Sequence, residues 1–137
     1  MRPFGRDGLQ PVTDQKRNWQ SPAPGWDEIV PEVGPEPGDH VVRKRQWGAF
    51  YATDLDLQLR RSGIGTVILC GISTNLGAES TERDAYERGY QQVFVDDACA
   101  ARTAEEHAFA FRTVFPRIGR VRSADEVIAT LGGPPAA

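Results

Sequence analysis

Thr66-Val67-Ile68-Leu69-Cys70-Gly71-Ile72-Ser73-Thr74-Asn75-Leu76-Gly77 is the stretch on which the fold turns. Its first half, Thr66 to Gly71, is apolar without interruption, which predicts a strand covered on both faces, as in parallel sheets. Its second half is a short polar turn that leads straight into a helical pattern from about Asn75 to Arg88, ended by Gly89. A buried strand feeding directly into a helix is the repeating unit of α/β proteins.

The flanking sequence repeats that unit. Upstream, Val41-Val42-Arg43-Lys44 reads as a short strand. Thr53 with Asp56 three residues later forms a capping-box pattern that opens a helix through Leu55 and Leu59, stopped by Gly63. Downstream, Gln92-Val93-Phe94-Val95 is the next strand. Thr103 and Glu106 form a second capping box, opening a helix with Ala104, Ala108, Phe111 and Phe115 on one face. Arg120-Val121-Arg122 suits a short edge strand, and Ser123 with Glu126 caps a last helix bearing Val127, Ile128 and Leu131. The alternation predicts an α/β fold, a parallel sheet with helices on both faces and strands near 41–45, 66–71 and 92–96. Ligands of such sheets bind beyond the carboxyl ends of the strands. Those ends here are Lys44 to Phe50, Gly71 to Gly77, and Asp96-Asp97-Ala98.

Residues 1–40 differ in kind. Seven of the ten prolines (Pro3, Pro11, Pro22, Pro24, Pro31, Pro35 and Pro37) fall there, a density that excludes long helices and central strands. We read 1–40 as a Pro-rich irregular arm anchored by Trp19 and Trp26, with one helical turn over Trp26–Val30. Residues 41–132 then form the α/β domain, and 133–137 a loose tail. A hydrophobic content of 39% and a charged content of 26% are ordinary for a folded domain, and the net charge of −3 argues against a nucleic-acid or membrane partner. No apolar run approaches the roughly 18 residues that span a bilayer, and Met1–Asp7 lacks the apolar segment of a signal peptide. Two cysteines make neither a disulfide framework nor a zinc site, so a cytoplasmic, reduced protein is expected.

The turn Gly71–Gly77 is the most informative strand end. Backbone N–H groups at a helix start point outward and favour negative charge, so such a turn can receive an oxyanion. It is equally an ordinary strand-to-helix connection with Ser73 or Asn75 as N-cap. The other polar candidates have plain readings. Cys70 is expected to be a buried small hydrophobe and Cys99 a structural residue. His107 has no second metal ligand nearby, and His40 suits a surface turn. One of Asp96 and Asp97 caps the next turn. Arg83 and Asp84 lie at helical spacing from Glu79 and Glu87 and suit ion pairs.

The stretch Gly71-Ile72-Ser73-Thr74-Asn75-Leu76-Gly77-Ala78-Glu79-Ser80-Thr81-Glu82-Arg83-Asp84-Ala85 resembles the nucleophile turn of the isochorismatase-like hydrolases. Val41–Lys44 followed by Trp47-Gly48-Ala49-Phe50 resembles that family's lysine strand and the turn after it, and Val93–Ala98 resembles its next strand. The resemblance covers roughly residues 38–131 and implies a Rossmann-like three-layer fold. It also implies a small-molecule substrate, no metal and no organic cofactor, and a homo-oligomer assembled through the helix of about Asn75–Arg88. The family's triad is an aspartate, a lysine and a cysteine. The lysine falls on Lys44. Gly77, which has no side chain, stands at the cysteine position. The aspartate, at the end of the family's first strand, has no counterpart, since Asp7 and Asp14 follow no apolar strand. Ile72, Ser73, Thr74, Asn75, Leu76 and Gly77 are implied to bind substrate or oxyanion, with a cis peptide between Ile72 and Ser73. Covalent amide hydrolysis needs the thiolate. Some members that cleave the vinyl ether of isochorismate do without it but still need the aspartate as general acid. Three readings follow: a hydrolase with weakened or altered catalysis, a non-catalytic binding or assembly subunit, or a fragment of a longer hydrolase.

Overall fold

The structure, a computed structural model, describes residues 13–15 and 23–132. The chain divides into two compact units, 1–41 and 42–137. In the first, the described residues form tight turns, with the Trp26 and Glu28 N–H groups donating to the Ala23 and Gly25 carbonyls at 3.2 and 3.0 Å. A single 3-10 turn follows over Pro31–Val33. Trp26–Val30 is thus a pair of turns rather than a helical turn. Trp19 lies outside the described residues, as do Pro3, Pro11, Pro22 and the tail 133–137.

The second unit is the α/β domain. Its helices are α1 (Leu55–Arg61), α2 (Glu79–Glu87), α3 (Ala104–Phe109), α4 (Phe115–Ile118) and α5 (Ala124–Leu131). Its strands are β1 (Thr66–Ile72), β2 (Gln91–Ala100) and β3 (Arg120–Arg122), in the order β1-β2-β3. Both pairings are parallel, with Leu69 opposite Phe94 and Val121 also opposite Phe94 on its other side. The β1–β2 register shifts between Leu69 and Gly71, where β2 bulges, so Gly71 stands opposite Cys99.

Side chains alternate across a sheet, and the two faces of this one are filled differently. On one face, Phe94 stacks on Phe115 at 4.2 Å, and Phe111 meets Phe115 edge-on at 4.8 Å. Ala110 and Val114 complete this core, with Leu69, Cys99 and Val121 packed against it. A second cluster joins Phe50, Ala85 and Tyr90 with Leu55, Leu59 and Val67, so α1 and α2 cover the same side of β1. On the other face, α5 packs against β2. Asp97 secures its start by accepting the Ala124 N–H at 2.7 Å. Helices therefore lie on both faces, as the alternation predicts.

Two capping boxes form as read: Thr103 with Glu106 and Ser123 with Glu126, each with both reciprocal bonds. The helix opened by Thr103 passes through a π-helical turn at Ala110–Val114 before α4. Gly89, at φ +81°, ends α2 in a conformation that favours glycine. Gly119 serves a different need, because a Cβ there would lie 2.6 Å from the Phe94 ring and 2.7 Å from the Gln92 carbonyl.

Three expectations are corrected. Val41–Lys44 is not a strand: among the described residues it joins no sheet ladder, and a strand exists only through its ladder. Thr53 and Asp56 make no capping box: Asp54 is the N-cap of α1, while Thr53 donates its hydroxyl back to the Ala49 carbonyl at 2.5 Å. β1 is not buried on both faces. Val67, Leu69 and Gly71 are half-buried, while Ile68, Cys70 and Ile72 are exposed, Ile72 at 82%. Cys70 is accordingly an exposed free thiol rather than a buried hydrophobe.

Candidate active site

The site lies at the carboxyl end of β1. The Ile72–Ser73 peptide is cis, as the resemblance implies. The chain then winds into a π-helical turn over Thr74–Ala78 that continues into α2. Ser73 accepts the N–H groups of Leu76 and Ala78 through its carbonyl at 3.2 and 3.1 Å, and its hydroxyl donates to Asn75 Oδ1 at 3.2 Å. The Leu76 N–H is therefore engaged within the turn itself.

Thr81, one turn into α2, ties this turn to the lysine segment. Its buried hydroxyl donates to the Gly77 carbonyl at 2.7 Å and accepts the Ala49 N–H at 3.1 Å. Gly48 comes close enough to α2 that a Cβ would touch the Ser80 carbonyl at 3.6 Å. Thus Lys44 reaches the turn without belonging to a strand. Its Nζ donates to the Trp47 carbonyl at 3.2 Å. A Cβ placed on Gly77 would meet that Nζ at 3.3 Å and the Ile72 carbonyl at 3.8 Å.

A cavity of about 130 Å³ opens here, lined by Lys44, Cys70, Gly71, Ile72, Gly77 and Thr81 among others. The structure so brings together Lys44, Ile72 and Gly77 from the residues singled out in the sequence. Ser73, Thr74, Asn75 and Leu76 share the turn but do not line the cavity. Among the described residues no carboxylate lines it either. Asp14 is exposed in the other unit, and Asp7 lies outside the described residues.

Two features behind the turn escape a reading of the sequence. Thr74 is fully buried, and its hydroxyl lies 3.0 Å from His107 Nδ1; the other ring nitrogen lies 2.7 Å from Asp96 Oδ1. Nothing local marks these three as neighbours, since 33 residues separate Thr74 from His107. Glu82 on α2 is fully buried with both carboxylate oxygens unpaired, and burial pushes its acid up to about 8. Its place beside Thr81 in the helix motif signals a buried face but not an unpaired acid. Burial also raises the Cys99 thiol, which packs under the core.

An isochorismatase domain profile matches residues 5–126. The chain belongs to the isochorismatase family. It is 53% identical over 127 residues to an uncharacterized isochorismatase family protein of Bacillus subtilis, spanning 90% of this chain and 67% of that one. A second uncharacterized family protein, from Escherichia coli O157:H7, is 50% identical over 113 residues, and this chain spans 56% of its length. Among solved structures, an isochorismatase family protein from Burkholderia thailandensis superposes with a TM-score of 0.88 at 43% identity, over 96% of this chain and 70% of that one. N-carbamoylsarcosine amidase from Thermoplasma acidophilum superposes at 0.64 and 36% identity, over 72% of this chain and 56% of that one.

Proposed function

We propose that this isochorismatase-family chain carries the anion-holding part of a hydrolase site for a small molecule bearing a carboxylate or polarised carbonyl. The observation that supports this reading is the placing of Lys44 Nζ 3.3 Å from where a Gly77 side chain would begin. An ammonium at that distance stabilises negative charge developing on a substrate oxygen. The half-buried turn restricts water, which strengthens the interaction. The missing side chain at Gly77 leaves room beside Lys44 for a ligand atom. It removes the covalent route by which a thiolate attacks an amide carbonyl. Any hydrolysis must then proceed by direct attack of water or by protonation of a leaving group, and both require a proton-transfer group. Lys44 is the one ionisable nitrogen lining the cavity among the described residues. The reading takes catalysis as weakened or altered, with no metal or organic cofactor.

A second reading, a binding or assembly subunit without turnover, is favoured by the absence of a lining carboxylate among the described residues. In either case we place the protein in the cytoplasm, where free Cys70 and Cys99 stay reduced. We read it as a homo-oligomer that covers the exposed Ile68 and Ile72. Incubation with isochorismate, N-carbamoylsarcosine and a panel of simple amides, followed by product detection, separates the two readings. Turnover abolished by Lys44→Ala supports the hydrolase. Binding of these compounds without turnover supports the subunit, and neither binding nor turnover sinks the site.

A further inference from the structure

The turn that carries Gly77 is held from behind by a chain of three polar side chains on three separate elements. Asp96 stands in the bulged part of β2, His107 on α3, and Thr74 at the first position of the turn. Asp96 Oδ1 and His107 Nε2 are 2.7 Å apart, and His107 Nδ1 and Thr74 Oγ1 are 3.0 Å apart. The His107 ring packs against Phe111 at 4.6 Å, which limits its rotation. Thr74 is 0% exposed, so its hydroxyl meets no ligand directly.

A carboxylate only accepts hydrogen bonds. Next to Asp96, the neutral His107 ring therefore carries its proton on Nε2 and offers the Nδ1 lone pair to the Thr74 O–H. In the neutral ring, donation runs from Thr74 to His107 and from His107 to Asp96. The same carboxylate–imidazole logic orients metal-bound and catalytic histidines through the group on the far side of the ring. Here its far end is a backbone turn. Thr74 follows the Ile72–Ser73 peptide directly, so fixing its side chain fixes the departure of the backbone toward Gly77.

We infer that Asp96 and His107 are positioning residues that act through Thr74 to hold the Ile72–Gly77 turn in the conformation that receives a ligand beside Lys44. The inference rests on the proposed reading of that turn as an anion site, and it extends that reading to residues that never touch the ligand. It gives His107 a role without metal chemistry and gives Asp96 a role distinct from Asp97, which secures α5.

The test uses the full 137-residue chain labelled with ¹⁵N. Three signals are followed: the His107 ring nitrogens, the backbone amides of residues 74–78, and the response of the Gly77 amide to added benzoate, a small carboxylate probe. Asp96→Ala, at a half-exposed side chain, is expected to change the His107 tautomer signature and to move the turn amides. Thr74→Val, which keeps shape and removes the hydroxyl, is expected to weaken benzoate binding about five- to tenfold, the effect of losing one buried hydrogen bond. Thr74→Ser, which restores the hydroxyl, is expected to bring binding back toward the parent. His107 nitrogens unchanged by Asp96→Ala, or parent-like benzoate binding in Thr74→Val, overturn the inference. No benzoate response in the parent overturns the anion-site reading instead. The turn amides then decide the inference alone, and it fails if Asp96→Ala leaves them in place.

Discussion

The two faces of β1 are made of similar side chains and meet different surroundings. Val67 and Leu69 lie against α1, α2 and the Phe94–Phe115 stack, while Ile68, Cys70 and Ile72, the alternate residues of the same strand, are exposed. An uninterrupted apolar run therefore reports what a strand is suited to touch. Whether both faces are touched depends on how many elements flank it. Glu82, on the α2 helix that covers this face, is fully buried with neither carboxylate oxygen hydrogen-bonded.

The contrast is challenged most directly by opening the covered face. Phe115→Ala removes a ring that is 0% exposed and contacts both Phe94 and Phe111, and it is expected to cost about 3–5 kcal/mol in urea unfolding. A loss below about 1 kcal/mol would mean that this face is not the core.

Glu82 probes the same face through its charge. Its folded acid is raised from 4.5 to about 8, so the folded state holds a proton that the unfolded state releases. Stability from this group is then full below about pH 4.5 and lost progressively as pH rises to about 8. Glu82→Met removes the titration and keeps the volume. It is expected to flatten that slope and to stabilise the chain above pH 8 by a few kcal/mol, on the order of 1.4 kcal/mol for each pH unit by which burial raises the acid. Parallel unfolding curves for parent and variant from pH 5 to 9 would contradict it.

Gly77 lies where the covered face opens into the cavity. Gly77→Cys puts a thiol beside the Lys44 ammonium, and it is expected to alkylate faster near neutral pH than Cys70 or Cys99. Rates equal to the parent would remove Gly77 from the site. Efficient amidase activity in this variant is not expected, because among the described residues no carboxylate lines the cavity to take the thiol proton.

The smallest effect belongs to the open face. Ile72→Thr, at a side chain 82% exposed, is expected to change monomer stability by no more than about 0.5 kcal/mol. Its consequence lies in assembly. If the open face joins copies of the chain, sedimentation shifts toward smaller species, and an unchanged profile removes this face from the interface.

Local sequence settles what lies within a turn or two of helix or along one strand. Thr103 with Glu106 and Ser123 with Glu126 cap as read, because both partners lie within three residues. β1 and β2, the short β3 and the helices between them follow from apolar runs and their period, and Lys44 with Gly77 could be read from the motif. Long-range packing set the rest, and the reason in each case is a partner far along the chain. Val41–Lys44 has strand composition but lies outside the β1-β2-β3 sheet among the described residues. Thr53 donates its hydroxyl to the Ala49 carbonyl and accepts the Leu55 N–H at 3.3 Å, rather than pairing with Asp56 in a capping box. Cys70 is exposed because alternation turned it to the side of β1 left open. Thr74, His107 and Asp96 meet because the parallel pairing of β1 with β2 sets the turn after one beside the bulge of the other, and α3 closes over both. Hydrogen bonds of that kind have no period for a sequence to display, since loop closure rather than local spacing brings their ends together.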